Sequence, residues 1–196
     1  MRTRQVALGA VLAVSIFMLP GCHRAAMDMS DWQAPQRPAA LDALNMFVGT
    51  WEGTANVKMV GAPEVVVSKG AETLSWEADG WVLVDHMEYA MGDGEEKMRG
   101  VGFWVWDPKA EEYRMWFANS SGETSEGLAT YAPDSRTWHF KACTRNSPLG
   151  KATFGEGKAV FVDDNTQQWT WTEWTRSWWF FKHKVMELEG TSHRKG

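Results

Sequence analysis

Gly49-Thr50-Trp51-Glu52-Gly53-Thr54-Ala55-Asn56-Val57-Lys58-Met59 sets the fold class of this chain. Trp51, Gly53, Ala55, Val57 and Met59 are apolar or small, and the residues between them are polar. A period of two puts the first set on one face of an extended strand and the second on the other. The stretch therefore predicts a half-buried strand. Turn signals then recur at Gly61-Ala62-Pro63, Asp79-Gly80, Gly92-Asp93-Gly94, Asp107-Pro108, Ser121-Gly122, Pro133-Asp134, Ser147-Pro148 and Asp163-Asp164-Asn165. About ten strand-like runs, mostly ~8–12 residues long, lie between these breaks. No helical pattern separates them, which disfavours βαβ units and favours an antiparallel meander. Such a meander either stacks as two sheets or closes as a barrel, and closure removes the exposed edges. Ahead of the first strand, Leu41, Leu44 and Phe47 fall on one side of a short helix.

The chain begins with Arg2 and Arg4, then an apolar run from Val6 to Leu19, then Pro20-Gly21-Cys22. That is the order of a secretory signal peptide. The run of about 14 residues is short of the ~20 that span a bilayer as a helix. A cysteine directly after a small residue resembles a bacterial lipobox, which implies lipidation of the Cys22 thiol and cleavage before it. The organisation expected is a leader over 1–21, a lipidated tether over 22–40 containing Pro35 and Pro38, and one domain over 41–196. In the bacterial lipoproteins this leader resembles, an aspartate after the cysteine goes with retention at the inner membrane, so His23 implies the periplasmic face of the outer membrane.

Removing the leader takes Arg2 and Arg4 and leaves 18 basic residues against 25 acidic ones, a net charge of −7. An acidic domain lacks the electrostatic footprint of a nucleic-acid binder. No polybasic segment marks a site for anionic head groups. With Cys22 assigned to lipid, Cys143 has no partner for an intramolecular disulfide.

Gly49-Thr50-Trp51 is a G-x-W opening the first strand after a short helix, and it resembles the lipocalin-like, or calycin, barrels. In that family the Trp closes one end and a basic residue of the last strand packs over its ring. The resemblance assigns those roles to Trp51 and Arg194. Further stretches resemble one bacterial calycin-like family, domain of unknown function 1579. They are Phe47-Val48-Gly49-Thr50-Trp51-Glu52-Gly53, Gly100-Val101-Gly102 leading to Asp107 and Tyr113, and Ser125-Glu126-Gly127 before Thr130-Tyr131. Asp163-Asp164-Asn165-Thr166 and Lys184-Val185-Met186-Glu187-Leu188 complete the set. The resemblance implies an all-β fold, a single antiparallel up-and-down barrel of about ten strands, and no activity. The haem-binding nitrobindin group is another relative, but its G-x-W-x-G-x-G is broken here by Ala55. Strict alternation from an inward Arg194 also turns His183 and His193 outward, away from any ligand inside.

Catalytic signals are few. His86 and Glu88 in Asp85-His86-Met87-Glu88 share a strand face and could offer two metal ligands, but no third is visible. No G-x-S-x-G occurs. His139 and Cys143 share a face but stand ~13 Å apart along a strand. Gly100-Val101-Gly102 precedes no helix and is not a phosphate loop. No catalytic residue, metal site or cofactor is assigned.

A lumen remains. The chain has 13 tryptophans, and large aromatics either fill a barrel or line it. Trp169, Trp171 and Glu173 share one face of a late strand. Met59, Trp169, Trp171 and Met186 are the candidate ligand-binding residues. The expectation is a lipid-anchored periplasmic binding protein for a small apolar or amphipathic ligand. The alternative is a structural or interaction protein of the envelope with a filled barrel and an unassigned protein partner. A metal-dependent enzyme and a haem binder are the weaker readings.

Overall fold

The computed structural model describes residues 33–92, 94, 97–147, 150–177 and 181–196. Cys22 and the leader expected over 1–21 lie outside the described residues. The folded unit runs from Gln36 to Gly196. Ten strands form it: β1 (Gly49–Met59), β2 (Val66–Glu77), β3 (Val82–Met91), β4 (Lys97–Asp107), β5 (Glu112–Asn119), β6 (Thr124–Ala132), β7 (Thr137–Arg145), β8 (Thr153–Phe161), β9 (Thr166–Ser177) and β10 (Phe181–Arg194). Each pairs antiparallel with the next, and β10 returns to β1. The fold is a closed, calycin-like, up-and-down barrel.

Residues Ala39–Met46 form the expected short helix, wound as a 3-10 helix. The reason is in the spacing. Leu41, Leu44 and Phe47 recur every three residues, the repeat that a 3-10 helix stacks on one edge. All three are buried, against Trp51, Leu83, Tyr113, Trp138 and Phe161. The helix plugs one end of the barrel. Arg37, in the segment read as tether, already belongs to this end: its Nε donates to the Gly80 carbonyl at 2.6 Å, and its guanidinium lies 4.8 Å over the Trp76 ring.

Side chains of the barrel satisfy the backbone and polar groups of the plug. Tyr113 donates its hydroxyl to the Ala40 carbonyl at 2.6 Å, and the Trp51 indole donates to the Phe47 carbonyl at 2.8 Å. Arg194 is in register with Trp51. Its guanidinium lies 4.4 Å over that indole and donates to the carbonyls of Met46, Val48 and Asp164. Gly49, at φ +123°, is the residue that lets Arg194 in, since a Cβ there would meet Nη1 at 2.8 Å.

One expectation fails in β10. The register slips between Lys184 and Met186, a β-bulge that leaves Val185 unpaired with β9. An extra residue reverses the alternation beyond it. His183 therefore opposes Thr175, on the face of Glu173 and Trp171, instead of pointing outward. It sits exposed at the rim with Nε2 2.5 Å from the Ser177 hydroxyl. His193, before any slip, stays exposed on the outer face beside Thr166.

Replacing Arg194 with Ala is expected to cost about 2–4 kcal/mol in urea unfolding, because a cation–π contact and charged hydrogen bonds to carbonyls are lost together. Arg194→Lys should recover only a minor part, since one ammonium cannot span the same acceptors. Full recovery by lysine would show that charge alone, and not the planar fork, holds the plug.

Candidate functional site: the barrel lumen

Register carries one inner face round the whole ladder. Trp51 opposes Glu72, Glu72 opposes Met87, and Met87 opposes Gly100. On the far side Gly155 opposes Glu173, Gly157 opposes Trp171, and Trp171 opposes Leu188. The inner face combines glycines with large aromatics, and the two are matched in space. A Cβ on Gly155 or Gly157 would collide with the Trp171 indole, and one on Gly190 would come within 2.6 Å of Trp169 Cζ2. Both indoles therefore lie against bare backbone, along the wall and not across the lumen. The Trp169 N–H is fixed by the Ser192 hydroxyl at 3.2 Å.

A cavity of about 630 Å³ is left inside, within the ~300–1,000 Å³ of small-molecule sites. Met59, Trp169, Trp171 and Met186, the four residues expected to line a ligand site, all border it. Met59 and Met186 are opposite one another on β1 and β10, at the end away from the plug. Trp51, Leu74 and Trp104 bound it at the plugged end.

Carboxylates interrupt this apolar wall. Asp85 and Glu72 lie near the floor, Glu173 nearer Met59 and Met186. Asp85 is 4% exposed, and its Oδ1 is a buried oxygen with no hydrogen-bond partner. Burial pushes its carboxyl well above the usual aspartate range, and the neighbouring Glu72 carboxylate pushes the same way. Glu72 is raised by burial, against a bond from the Gln167 amide at 3.2 Å that pulls it down. Glu173 is also raised by burial, partly offset by the Thr153 hydroxyl that donates to it. By register, no Lys or Arg faces inward between Trp51 and Met59 among the described residues; the inward Arg194 is spent on the plug.

Other sequence candidates are not brought together. Asp85 points inside, whereas His86 is exposed on the outer face with Glu88. Glu88 is engaged by Lys97 at 2.5 Å and Arg99 at 3.0 Å. Among the described residues no group of three or more His, Cys, Asp or Glu is arranged to hold a metal ion. Cys143 opposes Glu126 and Phe154 on the outer face, half-buried and free. What the sequence reading missed was Glu72 and the inward turn of Asp85. The available signal was parity: once Trp51 is inward, pairing through the Asp79-Gly80 hairpin fixes both.

Asp85→Asn is expected to stabilise the protein near neutral pH. A carboxyl whose pKa is raised by folding makes the native state bind more protons than the unfolded one, so stability falls as pH rises from the ordinary aspartate range through the raised value. Asparagine removes that loss. Melting curves should show a gain of roughly 1–2 kcal/mol, or ~2–8 °C, at pH 8. The gain should shrink towards pH 4. A constant difference across that range would show that Asp85 is ionised with no penalty in the barrel.

No family model matches the chain, and no curated protein matches it. Solved structures do. An S-type phycobiliprotein lyase, CPES, of Guillardia theta aligns with a TM-score of 0.57 at 14% identity, covering 83% of this chain and 99% of that one. Rv2717c of M. tuberculosis aligns with a TM-score of 0.59 at 17% identity, covering 82% of this chain and 100% of that one. At such identities the likeness is one of fold: this chain shares the calycin-like barrel architecture of both.

Proposed function

We propose that this protein is a binding barrel that carries a small apolar or amphipathic molecule in its lumen, held by lipid at Cys22 to the periplasmic face of the outer membrane. The observation that carries the binding reading is the cavity of about 630 Å³ that persists although the inner face is rich in tryptophan. A barrel built only as a scaffold gains stability by filling its core, since buried side chains contribute ~1.5–3 kcal/mol each. Here glycines stand where bulk would fit, and the indoles are laid against them. The filled-barrel alternative loses its premise. Methionine and indole at the lining suit a ligand of irregular apolar shape. Membership of the domain of unknown function 1579 family, read from the stretches quoted above, is part of this proposal and would add no activity; no family model matches the chain.

Native mass spectrometry of the tagless mature protein from its own host tests the binding reading. The expected result is a co-purifying small molecule. Gly155→Val, which drives Trp171 off the wall and into the lumen, should lose that molecule and cost about 1–3 kcal/mol of stability through overpacking. If wild type carries nothing and a solved crystal structure shows the lumen closed, binding is the wrong function.

The anchor rests on the order of Arg2, Arg4, the apolar run to Leu19 and Gly21-Cys22. Metabolic labelling with a fatty acid is expected to mark wild type and leave Cys22→Ala unmarked. Equal labelling of the two would remove both the anchor and the location.

A further inference from the structure

We infer that the ligand carries a positively charged nitrogen on an apolar body, with the nitrogen facing Asp85 and Glu72 and the body running along Trp169 and Trp171 towards Met59 and Met186. This rests on the binding reading above and names its ligand class: an amphipathic organic amine.

The inference starts from Asp85 Oδ1, buried and without a donor. A buried acceptor left unpaired costs on the order of 1–3 kcal/mol, and more when it is charged. Such an atom calls for a donor from outside the chain, and in an apolar lumen a ligand can supply it. The surrounding chain does not supply one. β4 places Gly102 opposite Asp85, and β2 places Leu74 there. Of the groups from neighbouring strands that face this floor, Trp51 and Gly53 on β1 carry no charge, Gln167 on β9 is neutral and already donates to Glu72, and Glu72 on β2 is itself an acid. Asp85 and Glu72 face the floor, Glu173 faces the lumen nearer Met59 and Met186, and by register no Lys or Arg among the described residues, other than the Arg194 spent on the plug, faces inward to balance them. An anionic ligand would meet like charge there, and a plain hydrocarbon would leave Asp85 unpaired. A protonated amine supplies donors and charge together. Trp104 and Phe140 also line the cavity, and an aromatic ring attracts a cation at its face.

Linkage gives the pH behaviour. Ligand-free, both carboxyls are held up by burial, and Asp85 is raised further by the Glu72 carboxylate. A cation favours their ionised forms, so binding expels protons, and affinity rises with pH from the ordinary carboxylate range through the raised values while the amine stays protonated.

The test is calorimetric titration of the purified, detergent-free protein with decylamine, decanol and decanoate, each below its micellar concentration, at pH 7.5. Decylamine is expected to bind about tenfold or more tightly than decanol, the usual scale of a charged hydrogen bond in a desolvated site. Decanoate should be the weakest. Decylamine binding should release protons, read from the dependence of the heat on buffer ionisation enthalpy. Asp85→Asn should remove most of the amine preference and leave decanol within ~threefold of wild type, because the apolar contacts are untouched. Glu72→Gln, checked for folding by circular dichroism, gives an independent second reading in the same direction. If decanol binds as tightly as decylamine, or both variants keep the full amine preference, the cation assignment is wrong and the apolar binding reading survives. If none of the three binds the folded wild type, both fall.

Discussion

Closure of the ladder is the constraint on which everything else depends. With ten strands paired all the way round, every residue is committed to the inside or the outside, and the commitment passes from strand to strand without a seam. Inward positions must then share one lumen. The chain meets this by placing glycine beside bulk: Gly155 and Gly157 beside Trp171, Gly190 beside Trp169, Gly100 beside Phe117. Van der Waals contact between ring and backbone replaces the packing that a second side chain would have provided. The wall is dense, the centre stays hollow, and the indoles remain available to whatever occupies it.

The electrostatics follow from the same commitment. Asp85 and Glu72 cannot rotate out to water without breaking strand parity, so their burial is imposed by the register. Arg194, the inward cation nearest to them, is withheld by the plug: its donors go to backbone carbonyls at the closed end and its face to Trp51. The barrel thus separates its structural cation from its lumen acids. The first seals one end, and the second leave a charge imbalance in the cavity, a stability loss of the kind that binding sites retain and scaffolds shed.

Much of the fold was legible because β1 alternates without error and its pairing with β10 sets Trp51 against Arg194. The four lining residues could be named from parity alone, since Met59, Met186, Trp169 and Trp171 lie on the β1 side of the slip or on the unbroken β9. The bulge at Val185 was not legible. Lys184-Val185-Met186 alternates as well through a slip as without one, and nothing local marks the extra residue. Asp85 was overlooked for a different reason. Attention to the shared face of His86 and Glu88 passed over Asp85, which as their neighbour along the strand faces the opposite way, into the lumen. Glu72 was hidden by its company: after Val66 the inward positions of β2 are Ser68 and Gly70, so no apolar stripe leads up to it before Leu74. The leader expected over 1–21 lies outside the described residues.

The seal at the plugged end also orders events in time. Arg194 reaches the Met46 carbonyl across 148 residues of chain, and Lys195 donates its backbone N–H to Thr50 nearby. Loop closure over such a separation is entropically late, and barrels dominated by non-local pairing fold slowly. β1 can pair with β2 as soon as both exist, yet its other edge waits for the last strand. Until the final few residues arrive, the helix has its leucines to bury but no lock for its carbonyls. The floor of the lumen is therefore among the last parts to become solid, and loss of the last few residues, Arg194 among them, would leave the closing strand in place but the plugged end without its lock.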